Sequence, residues 1–204
     1  MPELMVDLIT SLDGCASAEG WPGWWGLEGP EYLGWLEEQS EHDYEVLLGA
    51  TTYRVMSQMS SEAAGGQGEY RPDEADSLTG LDAVPKVVFS STLTEPLSWP
   101  NTRLVGTDPV EAVRAMKRDG STPMRTLGSL TLCRSLLAAG LVDRFRLVVF
   151  PVVTGATGQE RVYDGYPDVG LELTESRTFD GRTQLLDYVP TLLTGPPGAV
   201  GTTA

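Results

Sequence analysis

Three apolar runs in this chain each stop at glycine or hydroxyl residues and pass straight into the next element. Val46-Leu47-Leu48 runs into Gly49-Ala50-Thr51-Thr52, Val87-Val88-Phe89 into Ser90-Ser91-Thr92, and Met124-Arg125-Thr126-Leu127 into Gly128-Ser129-Leu130-Thr131. Such runs read as buried strands, and the segments between them carry helical signals. The clearest is "DPVEAVRAMKRDG", with Asp108 as N-cap, Pro109 at the first helical position, Glu111 closing a capping box and Gly120 as the stop. "PEYLGWLEEQ" is a second helix opened by Pro30, residues 53–59 read as a short helix, and residues 60–80 as an acidic, glycine-rich mobile surface loop. "LMVDLITSLDG" opens the chain as a strand, and "DRFRLVVFPVV" and "LELTESRTFDGRTQLLDYV" close it as consecutive strands, the last two joined at Asp180-Gly181. Strand and helix in alternation, followed by strands alone, predict an α/β fold: a central, mostly parallel sheet flanked by helices, with an antiparallel hairpin at the C-terminus.

At 204 residues the chain suits one domain, expected over 1–193, with 194–204 as a flexible tail. No run approaches the roughly 20 apolar residues of a membrane span, and the start lacks a basic leader, so a cytoplasmic location without membrane association is expected. The net charge of -15, with Lys86 and Lys117 the only lysines, repels nucleic acid. Cys15 and Cys133 lack metal or redox spacing and read as buried free thiols. His42 stands in a charged segment as a solvated side chain, and no metal site is expected.

A ligand held against so acidic a chain needs backbone amides and hydroxyls. At the carboxyl ends of parallel strands, helix N-termini present unpaired N–H groups and a positive dipole end, which suit phosphate. Glycine admits the ligand close to the backbone, and Ser or Thr adds donors without bulk. The three strand ends therefore form a candidate phosphate site, although the same residues also serve as plain turns and caps, and neither G-x-G-x-x-G nor a Walker sequence is present.

"SLDG", "LLGATTY", "VVFSSTL" and above all "LGSLTLCRSLLAAGLVDRFRLVVFPVVTGATG" resemble the dihydrofolate reductase-like family that includes the reductase domain of the riboflavin-biosynthesis deaminase/reductase. The likeness runs from about Leu4 to Leu193. It implies an NADPH-dependent oxidoreductase that reduces a small planar (pterin-, pyrimidine- or imine-like) substrate by hydride transfer, working as a homodimer. Gly49, Thr51 and Thr52 are then expected at cofactor phosphate. Ser90 and Ser91 belong by the adenosine ribose, and Gly128, Ser129, Leu130, Thr131 and Leu132 around the pyrophosphate. Where relatives carry an arginine for the 2′-phosphate this chain has Ala50, with Arg54 and Arg103 as candidates to take its place.

The resemblance puts the substrate against "GWPGWWGLEGPEYL", with Trp24 and Trp25 as stacking walls, beside Trp21. Tyr32 occupies the helix position where dihydrofolate reductases place a carboxylate, and Asp13 is the nearest acid. Both are candidate catalytic residues. The T-V-x-x-D-x-P segment of the riboflavin reductases is missing, and the missing carboxylate motivates a second reading, a cofactor-binding protein without useful turnover. The apolar "LVVFPVV" run is the candidate surface for a second copy.

Overall fold

Side chains of the first strand, β1 (Leu4–Ser11), alternate between two faces, as the two-residue period of a strand requires. Leu4, Val6 and Leu8 are buried on one of them; Met5, Asp7 and Ile9 take the other. The computed structural model describes residues 1–20, 25–40, 43–68 and 70–196, so Trp21, Trp24 and His42 lie outside the described residues. Gly14, at φ +82°, turns the chain into the short strand β2 (Cys15–Ala18), and α1 (Pro30–Ser40) starts at its proline. Then come β3 (Glu45–Gly49), α2 (Ala50–Ala64) and α3 (Pro72–Gly80). They are followed by β4 (Lys86–Phe89), β5 (Thr102–Val105), α4 (Pro109–Asp119), β6 (Met124–Thr126) and α5 (Leu130–Ala138). The chain closes with β7 (Arg144–Phe150), β8 (Gly158–Arg161), β9 (Val169–Phe179) and β10 (Thr183–Leu192).

The main sheet runs β5-β4-β3-β6-β1-β7-β10-β9, parallel through β7 and antiparallel beyond it, while β2 and β8 form a separate antiparallel pair. Both faces are covered. Leu4, Val6, Leu8, Phe145 and Leu147 pack with Val113 of α4 and with Leu132, Cys133, Leu136 and Leu137 of α5. On the opposite face Val148 and Phe150 pack against Tyr32 and Trp35 of α1, together with Phe179 and Leu185 of the hairpin. Asp180 and Gly181, at φ 52° and 66°, make the hairpin turn.

Two expectations change. Residues 60–80 are not a loop: α2 continues to Ala64, and α3 forms because Pro72 sits in its first turn with Asp73 and Glu74, whose side chain accepts from the Arg71 N–H to close a capping box. An acidic composition masked these start signals. The "LVVFPVV" run is also not free to pair with a second copy along β7: Leu147 to Phe150 lie in β7, hydrogen-bonded on one edge to β1 and on the other to β10.

Candidate functional site

At the carboxyl end of the parallel strands, β3 and β6 lie side by side and each delivers a helix at once, α2 after Gly49 and α5 after Ser129. Neither helix has a side-chain hydrogen bond capping its N-terminus, and neither carries an acidic residue in its first turn. In a chain of net charge -15, first turns without carboxylate leave each positive dipole end with no counter-charge on its own helix. Ser129 ties the two corners together. Its Oγ accepts from the Gly49 N–H at 2.8 Å and donates to Thr52 Oγ1 at 2.8 Å. Gly128 (φ +54°) and Ser129 (φ 60°) both hold left-handed backbone. A Cβ on Gly128 would stand 3.4 Å from Thr52, so the glycine fits both the conformation and the space.

These corners open into a cleft of about 1310 Å³, lined by Gly49, Thr51, Thr52 and by Gly128 to Leu132. Eight of the ten positions expected at a cofactor thus share one cavity. Ser90 and Ser91 are not among the lining residues. Ser90 Oγ instead accepts from the N–H groups of Thr92 and Leu93, closing its own turn after β4. Arg103, one of the two candidates for the 2′-phosphate, pairs with Glu45 at the amino end of β3, the opposite end from Gly49.

The substrate-side expectations divide. Tyr32 lines the cleft and is 1 % exposed, yet its hydroxyl has no hydrogen-bond partner among the described residues. Burial, with the nearby Asp7 charge, pushes this phenol far above its ordinary range, so it stays protonated. Trp25 packs against the Tyr32–Trp35 cluster instead of lining the cleft. Asp13 is held as an acceptor. Its carboxylate accepts from the Ser11 hydroxyl and from the N–H groups of Thr154 and Gly155, and these bonds hold it well below the usual carboxylate range. It anchors the loop after β7 and lies away from the cleft wall.

The residues the sequence reading missed sit under α1. Parallel register places Asp7 beside Arg146 across the β1–β7 pair, and Arg125 on β6 reaches Asp7 from the other side. Arg146 donates to Asp7 through Nε at 3.0 Å and Nη2 at 2.8 Å; Arg125 Nε donates at 2.6 Å. Burial alone would raise the Asp7 carboxyl, but the two guanidiniums lower it to about 2. Arg146 Nη1 also donates to Gln39, and its guanidinium lies 4.8 Å from the Trp35 ring centre. The signal was a charged residue at a core-facing position of three apolar runs. Asp180 was missed in its second role: from the hairpin turn it accepts from the N–H groups of Glu31 and Tyr32, capping α1 and setting where Tyr32 stands. Gly29 is glycine because a Cβ there would fall 2.1 Å from the Asp180 carboxyl carbon.

Among the described residues no helix is long and apolar enough to cross a membrane. Comparison with known proteins agrees with this architecture. The YyaP protein of Bacillus subtilis (strain 168) is 24 % identical over 192 residues, covering 91 % of this chain and 93 % of its own. A pyrimidine reductase-like protein from Corynebacterium diphtheriae matches in structure with a TM-score of 0.60 at 15 % identity, over 93 % of this chain and 92 % of its own. Dihydrofolate reductase from Enterococcus faecalis, complexed with NADP(H) and RAB-propyl, matches with a TM-score of 0.56 at 14 % identity, over 92 % of this chain and 96 % of its own. The family model for the RibD C-terminal domain matches residues 2–185, from ahead of β1 into β10. The chain therefore belongs to the RibD C-terminal domain family.

Proposed function

We propose that this protein is a reductase that takes a hydride from NAD(P)H, with NADPH as the cofactor the family implies, and delivers it to a small planar acceptor. The observation that supports this most is the pair of uncapped helix N-termini, knitted by Ser129, facing one cleft at the ends of two adjacent parallel strands. Backbone N–H groups of Ala50 to Thr52 and of Leu130 to Leu132 would hold the dinucleotide phosphates, with the Thr51, Thr52 and Thr131 hydroxyls beside them. The bound cofactor supplies the hydride. The chain positions the acceptor along the cleft walls, excludes water with the Tyr32–Trp35–Phe150 cluster, and keeps a protonated phenol at Tyr32.

A thermal-shift titration with NADPH, beside NADPH oxidation followed against pterins, pyrimidines and imines, tests the proposal. Stabilisation by NADPH together with turnover of at least one compound is expected. Absence of stabilisation by either nicotinamide cofactor contradicts it. A second reading, cofactor binding without turnover, draws support from Asp13 being tied to the loop after β7 and from a tyrosine standing at the carboxylate position. NADPH stabilisation without any turnover would select it.

With Ala50 at the second-strand turn and Arg103 held by Glu45, only weak reading of the 2′-phosphate is expected. NADH should bind within ~10-fold of NADPH, about 1.4 kcal/mol, in parallel titrations. A preference of ~100-fold for NADPH would show that another cation, Arg54 among the described residues, reaches the phosphate.

We also propose a homodimer, formed through β9. Among the described residues this strand ends the sheet with no neighbour on its outer edge, and Leu171 and Leu173 are 44 % and 53 % exposed on one face of it. Antiparallel pairing of an edge strand with its own copy satisfies the open backbone groups of both. Sedimentation at micromolar concentration should give a dimer, and Leu173→Glu a monomer. A monomeric parent removes this proposal.

A further inference from the structure

We infer that the end of the cleft under α1 is a pocket for a planar acceptor presenting an anionic or carbonyl edge, read by Arg125 and the Tyr32 hydroxyl; this rests on the reductase reading above. Three observations carry it. First, Asp7 faces two guanidiniums, those of Arg125 and Arg146, while the neighbouring Asp187 is engaged by Arg144. One carboxylate of β1 is thus shared by two cations, even though Glu28 also acts on Tyr32 and Glu37 lines the cleft. Second, Arg125 is the cation with capacity to spare. Arg146 spends Nε and Nη2 on Asp7 and Nη1 on Gln39, whereas Arg125, among the described residues, bonds Asp7 through Nε and Nη2 and is itself a lining residue. Third, Tyr32 brings a buried hydroxyl with no partner among the described residues to the same wall. An unpaired buried donor is costly to keep, and an accepting ligand atom would offset that cost.

The surrounding walls suit a flat ring. Tyr44, whose ring lies 5.4 Å from the Arg125 guanidinium carbon, and Trp35 line the cleft with Ile9 and Val148. A carboxylate, an ionised imide or a ring carbonyl can accept from both the guanidinium and the phenol, with the charge-assisted bond the stronger. A protonated aminopyrimidine meets a like charge there. Besides Asp7, acidic side chains line the same cleft, namely Glu37 on α1, Asp73 and Asp76 on α3, and Glu160 on β8, and the test weighs them against Arg125.

Calorimetric titration without cofactor, using orotate as a planar heteroaromatic anion and 2,4-diaminopyrimidine as a planar cation, decides the matter. The parent should bind orotate more tightly. Arg125→Gln should weaken orotate at least ~10-fold, since Arg146 still neutralises Asp7 and the fold survives. Tyr32→Phe should weaken orotate ~5-fold yet melt no lower than the parent, because the hydroxyl it removes has no partner in the free protein. Diaminopyrimidine binding as tightly as orotate, no orotate binding at millimolar concentration, or unchanged orotate affinity in both variants each overturns the inference. NADPH stabilisation measured on the same samples reports separately on the reductase reading. Orotate binding without an NADPH effect keeps this pocket and removes the reductase.

Discussion

Asp7→Asn is expected to cost ~3–5 kcal/mol of stability, the effect of removing one partner from a buried ion cluster. The substitution keeps the side chain's shape and deletes only its charge. Arg146 (side chain 6 % exposed) and Arg125 (17 %) are then left facing each other across β1 without a counter-ion. In a chain of this length the loss lowers the melting temperature by about 10 °C or more. The same carboxylate makes the parent acid-sensitive with a definite sign. Because its folded value is depressed to about 2, the stability it contributes is complete above the unfolded value near 4 and is lost as pH falls from there towards 2. A depression of this size corresponds to ~2 kcal/mol. Melting curves of the parent and the variant between pH 7 and pH 3 should therefore converge as the acid limb is entered. Parallel curves, or a variant as stable as the parent at pH 7, would show that the two arginines find other partners.

Gly128→Val is expected to weaken NADPH binding at least ~10-fold while costing only ~1–2 kcal/mol of stability, the penalty of left-handed backbone on a residue with a Cβ. Gly128 holds φ +54°, a region a β-branched residue rarely enters. The new Cβ would also stand 3.4 Å from both Thr52 Cγ2 and Thr52 Oγ1. Valine's branches extend from that point towards the Ser129–Thr52–Gly49 lock, so they disturb the alignment of the α2 and α5 N-termini on which phosphate binding depends. Gly128→Ala, which keeps the backbone strain without the branches, should fall between the parent and valine. Affinity unchanged in Gly128→Val would place the dinucleotide elsewhere.

What could be read from the sequence follows from how local each signal is. The helix over 109–119 was legible from its ends: Asp108 Oδ1 does accept from the Glu111 N–H at 3.0 Å, with Pro109 in the first turn and Gly120 at the end, although the Glu111 carboxylate pairs with Arg114 instead of closing the expected box. The hairpin turn at Asp180-Gly181 was equally plain. Small residues after β3 and β6 pointed to positions that do share one cavity, because backbone clearance is written in single residues. The same chemistry after β4 lies outside that cavity, since Ser90 uses its hydroxyl on its own turn, and side-chain direction is not encoded in residue type. Helix α3 was hidden by its acidic composition, although Pro72 and the Glu74 box were there to be read. The Asp7 cluster was out of reach for a different reason. Its members lie 118 and 139 positions apart, and only the strand order β6-β1-β7 brings them together. The Asp180 cap on α1, 149 residues from Glu31, is hidden in the same way.

Crystals of the protein grown with NADPH test the central claim most directly. The account predicts the diphosphate lodged between the first turns of α2 and α5, within hydrogen-bond distance of the N–H groups of Ala50 to Thr52 and Leu130 to Leu132, with the nicotinamide directed along the cleft towards Tyr32. A dinucleotide bound on another face, or a cleft that stays free of nucleotide at saturating NADPH, would contradict it.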